Sequence, residues 1–167
     1  MRRIVAAMPS GKTHLRIEVG LLFGWTALAG YLLAERAAAA EAVIAFIVAY
    51  AFSMLFLSPD LDLARSRPSR RWGIARVLWF PYALIFRHRG VSHRPFAGPA
   101  TRIAYLALLF GIGAAVAAGL GVPLRVGSPS CGCLLGALVG LYLPNLTHVL
   151  ADRVASSAKR RRSRSRL

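Results

Sequence analysis

Four histidines and three aspartates carry the chemistry this chain can do: His14, His88, His93 and His148, with Asp60, Asp62 and Asp152. Imidazole and carboxylate together suit zinc, manganese or iron far better than calcium. The stretch from Arg87 to His93 holds two of the imidazoles at a His-x4-His spacing, which does not fit one helix face, where partners stand three or four apart. Gly90 is therefore expected to turn the chain and bring both rings to one point. His148 and Asp152 are i, i+4 and share a helix face, and His14 with Glu18 repeats that spacing, which makes Glu18 a second-tier candidate. Asp60 and Asp62 point the same way if the backbone after Pro59 is extended.

The elements that must position these groups are apolar helices. The chain has 167 residues, is 56% hydrophobic and has a mean hydropathy of +0.53, more apolar than a soluble domain of its length. Apolar segments run from Ile17 to Leu33, from Ala37 to Leu57, from Ile103 to about Leu120 and from Cys131 to about Leu150. Each is long enough to cross a bilayer when its flanks reach the interface. A secretory signal peptide is the rival reading of the first, but Glu18 opens the apolar region and the polar stretch before it is long. Between the second and third segments, Trp72 to Phe86 is apolar and aromatic yet short and interrupted by Arg76 and Pro81. It is expected to lie in the headgroup region, where Trp72, Trp79 and Tyr82 suit the interface. The expected fold class is all-α: a polytopic membrane protein with four transmembrane helices plus an interfacial helix. Glycines 111, 113, 132, 136 and 140 in the last two segments would let helices approach closely.

Charge sets the expected orientation. The chain has 22 Lys and Arg against 6 Asp and Glu, a net charge of +16. The basic residues fall in the N-terminus, the 63–102 interval and the tail, so the positive-inside rule puts both termini and the long interval in the cytoplasm, with the chain multi-pass in the membrane. All seven histidines and aspartates then lie at one membrane face. Scattered solvation would not produce that, and ionisable groups at membrane depth normally face a cavity or a partner. A divalent metal follows, most simply zinc, with manganese or iron as the other choices. Seven ligands exceed one tetrahedral shell, so either two ions bind or some of the seven orient the others. The alternative is a polar network of histidine–aspartate pairs that only ties helix ends together.

Residues 1–157 read as a single membrane-embedded metal-binding domain, and 158–167 as a disordered basic tail. The tail would bind anionic lipid headgroups. Nothing aromatic is interleaved to stack on bases, which argues against nucleic acid. Cys131 and Cys133 are too few and too close for a disulfide framework, and they lack the second pair of a zinc ribbon.

The set Met8 to His14, Ser58-Pro59-Asp60-Leu61-Asp62-Leu63, Arg71-Trp72-Gly73, Trp79 to Tyr82, His88 to His93 and His148-x-x-x-Asp152 resembles a family of bacterial integral membrane proteins known only as uncharacterised metal-binding proteins. More loosely, it is similar to predicted membrane-bound metal-dependent hydrolases. The resemblance implies metal binding by His14, Asp60, Asp62, His88, His93, His148 and Asp152, and hydrolysis of a phosphoester or lipid. Relatives often carry an acid directly after the first histidine, where this chain has Leu15, so any ligand role at that position is lost. In the enzyme reading Asp62 or Asp152 acts as base, and Arg89 with Arg87 or Arg94 holds an anionic group. In the competing reading the metal stabilises an accessory or assembly subunit of a membrane complex, without turnover. A metal carrier fits poorly, because carrier sites lie at mid-membrane.

Overall fold

The computed structural model describes residues 11–62, 66–86, 94–122 and 127–164, with the side chains of Asp60, Asp62 and 158–164 outside the description. Every regular element among the described residues is helical. In chain order they are α1 (Gly11–Ala34), α2 (Ala40–Phe56), α3 (Arg67–Arg71), α4 (Phe80–Ile85), α5 (Ala97–Gly119) and α6 (Cys131–Arg164), with 3₁₀ turns at Pro59–Asp62 and Gly73–Trp79. Three segments are long and apolar enough to cross a membrane: Lys12–Ala34, Ala97–Gly119 and Cys131–Ser157. Helix α2 is apolar as well but has 17 residues.

The molecule is inverted relative to a water-soluble bundle. Phe23, Val48, Phe110 and Val116 stand exposed, whereas His14, Glu18, Arg102, Asn145 and His148 are buried. Soluble proteins bury few such charges, and an apolar exterior around a polar interior is what a lipid solvent selects.

Helices α2 and α6 form the central pair. They run parallel, because contacts advance together along both: Gly132 meets Ala42, Gly140 meets Phe46 and Tyr50, and Asn145 meets Ser53. A Cβ on Gly136 would strike the Ala42 carbonyl, and one on Gly140 would strike the Phe46 carbonyl and come within 2.9 Å of the Tyr50 nitrogen. These two glycines thus set the distance between the helices. Gly111 and Gly113 do not share that role, since each faces open space on α5. At its start, α6 is capped by Ser130, whose Oγ accepts from the Cys133 N–H and donates to Glu41 of α2.

At the opposite end, α3 docks beneath α2. Ser66 caps α3 by accepting from the Ser69 N–H at 3.2 Å. Arg71 Nη1 donates to the Leu55 carbonyl and Trp72 Nε1 to the Phe56 carbonyl, both at 2.9 Å. Those carbonyls have no partner within α2's last turn, so α3 supplies the bonds that a helix end lacks. Leu57, Leu61, Trp79 and Tyr82 form the buried core here, with Phe52, Trp72 and Tyr105 packed against it.

Three expectations change. The segment expected as one interfacial helix from Trp72 to Phe86 is a 3₁₀ turn followed by the short α4, with Pro81 in α4's first turn. Asp60 and Asp62 sit in a 3₁₀ turn rather than on extended backbone, because Pro59 opens a tight helical turn. The basic tail continues α6 as helix to Arg164, and alanine, lysine and arginine are all good helix formers.

Candidate metal centre

His14 lies on the first turn of α1, and His148 and Asp152 lie one turn apart on α6. The two helices run in opposite directions, which brings the beginning of the chain against its late apolar segment. His14 Nε2 stands 3.1 Å from Asp152 Oδ1, and His148 Nε2 stands 4.0 Å from Asp152 Oδ2. The two imidazoles stack with centroids 3.9 Å apart and planes 17° from parallel. One ligand atom from each of the three residues lies within 4.8 Å of the others. Two ligands on a tetrahedral zinc ion with bonds of about 2.0–2.1 Å are separated by roughly 3.4 Å, so small side-chain rotations would close the set on one ion. Two imidazoles and a carboxylate are a donor set that zinc, iron and manganese accept.

Glu18 completes the arrangement from the next turn of α1. Its Oε1 is 3.4 Å from His148 Nδ1, on the side of the ring away from Asp152. A carboxylate on one imidazole nitrogen fixes the tautomer and leaves the other nitrogen for a metal. Position 18 is itself held, because Tyr50 on α2 donates its hydroxyl to the Glu18 carbonyl at 3.2 Å. His14, Glu18 and His148 are each only 4% exposed, so their polar atoms must be satisfied inside the protein.

Beneath them lies a polar layer that the sequence did not disclose. Arg102 of α5 is fully buried and donates from Nη1 to Asn145 Oδ1 at 2.6 Å. Asn145 Nδ2 donates to Ser53 Oγ at 2.9 Å, and Ser53 Oγ donates to the Leu141 carbonyl at 2.6 Å. Three helices are thereby locked together one turn from His148. The available signal was the single arginine at the edge of the apolar segment that begins at Ile103.

A cavity of about 350 Å³ opens beside the cluster, lined by His14, Glu18 and His148 on one side and by Ser58, Ser66, Arg67 and Arg71 on another. Of the seven residues expected to bind metal, the structure brings together His14, His148 and Asp152, and it adds Glu18. The side chains of Asp60 and Asp62 and the whole of His88, Arg89 and His93 lie outside the described residues. Of the proposed bases, Asp152 is at the cluster.

The sequence pattern of a family described as uncharacterized metal-binding protein matches residues 9–162. A protein of Aquifex aeolicus (strain VF5), described as an uncharacterized protein, is 48% identical over 63 residues, which cover 38% of this chain and 45% of the relative. The match therefore spans less than half of that relative's length. No solved structure matches.

Proposed function

This chain belongs to the family of uncharacterized metal-binding proteins, and from that premise we propose that it is an integral membrane protein whose buried His14, His148 and Asp152 hold a divalent metal, zinc, at the cytoplasmic face of the bacterial inner membrane. The observation that carries this reading is the meeting of two imidazoles and one carboxylate, from the two ends of the apolar region, in a site lined on its far side by Glu18.

Four crossings are supported by helix direction. α1 runs away from the cluster, α2 returns to it, α5 leaves from the level of Arg102, and α6 comes back through His148 parallel to α2. At about 1.5 Å per residue the 17 residues of α2 measure roughly 25 Å, a few ångströms under the usual hydrocarbon thickness of about 30 Å. Local thinning or the Leu57–Ser58 extension covers the difference. The arginines between 65 and 102 favour a cytoplasmic position for this end.

Metal-dependent hydrolysis of a phosphoester or lipid is the activity we propose for the site. Three protein ligands leave a coordination position for water or substrate, and the cavity lets a small group reach it. A bound ion supplies Lewis acidity and acidifies water towards neutrality. Glu18 orients His148, and Asp152, at 26% side-chain exposure, lies at the wetter edge of the site. The reading without turnover, a metal-stabilised accessory subunit, requires Asp60, Asp62, His88 or His93 to close the shell.

Purified full-length protein, assayed for metal content and for hydrolysis of phosphodiester and phospholipid substrates, separates the two. Turnover that follows metal content and disappears in His148→Ala supports the enzyme. Stoichiometric metal with no turnover on either substrate class supports the accessory role.

A further inference from the structure

Short helix α3 carries three arginines, and they do not face the same way. Arg67 and Arg71 are i, i+4 and both line the 350 Å³ cavity that His14, Glu18 and His148 close from the other side. Arg70 lines a different opening of about 910 Å³, with Ile74, Val77, Trp79 and Phe80. The positive-inside rule accounts for arginines in this segment, yet it does not direct two of them into the cavity that holds the candidate ligands.

That cavity has two chemically distinct walls. The residues of α1 and α6 there bring two imidazoles and the Glu18 carboxylate, and the stretch from the end of α2 into α3 brings Arg67 and Arg71 with Ser58 and Ser66. Guanidinium forks match the oxygens of phosphate, and a dianion between a metal and two arginines is neutralised from both sides. Arg71 is held beside the cavity, because its Nη1 donates to the Leu55 carbonyl at the end of α2. The volume lies near the lower end for small-ligand sites, enough for a phosphorylated headgroup and too small for a whole lipid.

We propose that Arg67 and Arg71 form a seat for a phosphate group, carried either by a lipid headgroup or by free phosphate, directly beside the His14–His148–Asp152 cluster. The proposal rests on the hydrolase reading and deepens it by naming the residues that hold the phosphate. The seat itself needs only the arginines, so it can stand or fall separately from the metal.

The experiment uses full-length protein in detergent, with no metal added for the phosphate titrations and manganese uptake measured in a separate sample. Phosphorus-31 relaxation reports binding of two probes, inorganic phosphate and dioctanoyl phosphatidic acid. Arg67→Gln is expected to weaken binding at least about tenfold, the loss of one charge-assisted bond. It leaves the α2–α3 contact of Arg71 in place, so folding is not at issue. Arg71→Lys, which keeps charge but loses the fork and its bond to the Leu55 carbonyl, is expected to fall between wild type and Arg67→Gln, with circular dichroism checking that the fold is kept. Arg70→Gln, which removes the same charge from the other face of α3, is expected to stay within about twofold. Binding of both probes identifies the phosphate group itself as the ligand, and binding of phosphatidic acid alone identifies the lipid form. Either supports the seat. No binding of either probe, or equal loss in Arg67→Gln and Arg70→Gln, overturns it. Phosphate bound through Arg67 in protein that takes up no manganese would keep the seat and remove the metal reading.

Discussion

The rings of His14 and His148 stack face to face with centroids 3.9 Å apart, although one lies at the start of the first long helix and the other deep in the last. Two imidazoles so placed bring their nitrogens to one side, where the Asp152 carboxylate meets them. Glu18 takes the remaining nitrogen of His148. Everything that follows about function depends on that meeting.

Glu18 is expected to tune the site rather than create it. Glu18→Gln should lower metal affinity about 10–100-fold while leaving the stoichiometry unchanged, as loss of an orienting carboxylate does elsewhere. Competition with a fluorescent chelator measures this. An unchanged affinity would remove Glu18 from the account.

Packing of α2 on α6 is expected to depend on Gly140 and to be indifferent to Gly111. Gly140→Ala puts a methyl group into the Phe46 carbonyl and should cost about 1–3 kcal/mol. Gly111→Ala meets open space and replaces a poor helix former, so stability should hold or rise slightly. Unfolding in detergent, followed by circular dichroism, compares the two.

The layer of Arg102, Asn145 and Ser53 should matter for stability as much as the cluster does for binding. Asn145→Leu removes the acceptor of a buried guanidinium bond, with an expected cost of about 1.5–3 kcal/mol. Ser53→Ala removes two bonds between neutral groups, from Asn145 and to the Leu141 carbonyl, but leaves the guanidinium bond in place and should cost less than Asn145→Leu. The same unfolding measurement ranks them.

The sequence disclosed the site more fully than its support. His148 and Asp152 were legible because i, i+4 spacing puts them on one face, and His14 because it stands at the same predicted end of the bundle. Glu18 was half legible, since its spacing from His14 was plain but its partner proved to be on α6. Arg102 was hidden by its company: among so many arginines assigned to topology, one that turns inward has no distinguishing neighbour in sequence. The glycines of α6 announced close packing, but those of α5 announced it equally, and only helix geometry separates them. The break of the aromatic segment at Trp79 follows from Pro81 and the demands of the core around Trp79 and Tyr82. Hydropathy does not carry that information.

Topology has its own check in the two cysteines. Cys131 is exposed at the start of α6, at the end of the bundle away from the cluster. With four crossings and a cytoplasmic cluster it should react with a membrane-impermeant maleimide added outside right-side-out vesicles, and a Ser157→Cys variant lacking Cys131 and Cys133 should not. Reversal of that pattern would turn the protein over in the membrane.

The central claim is that His14 and His148 hold one ion between them. Elemental analysis of purified wild type, His14→Ala and His148→Ala should find metal bound in the wild type and lost from each variant, while the helical circular dichroism of all three agrees. Metal retained at the wild-type level in both variants would contradict the account, because neither imidazole could then be holding the ion.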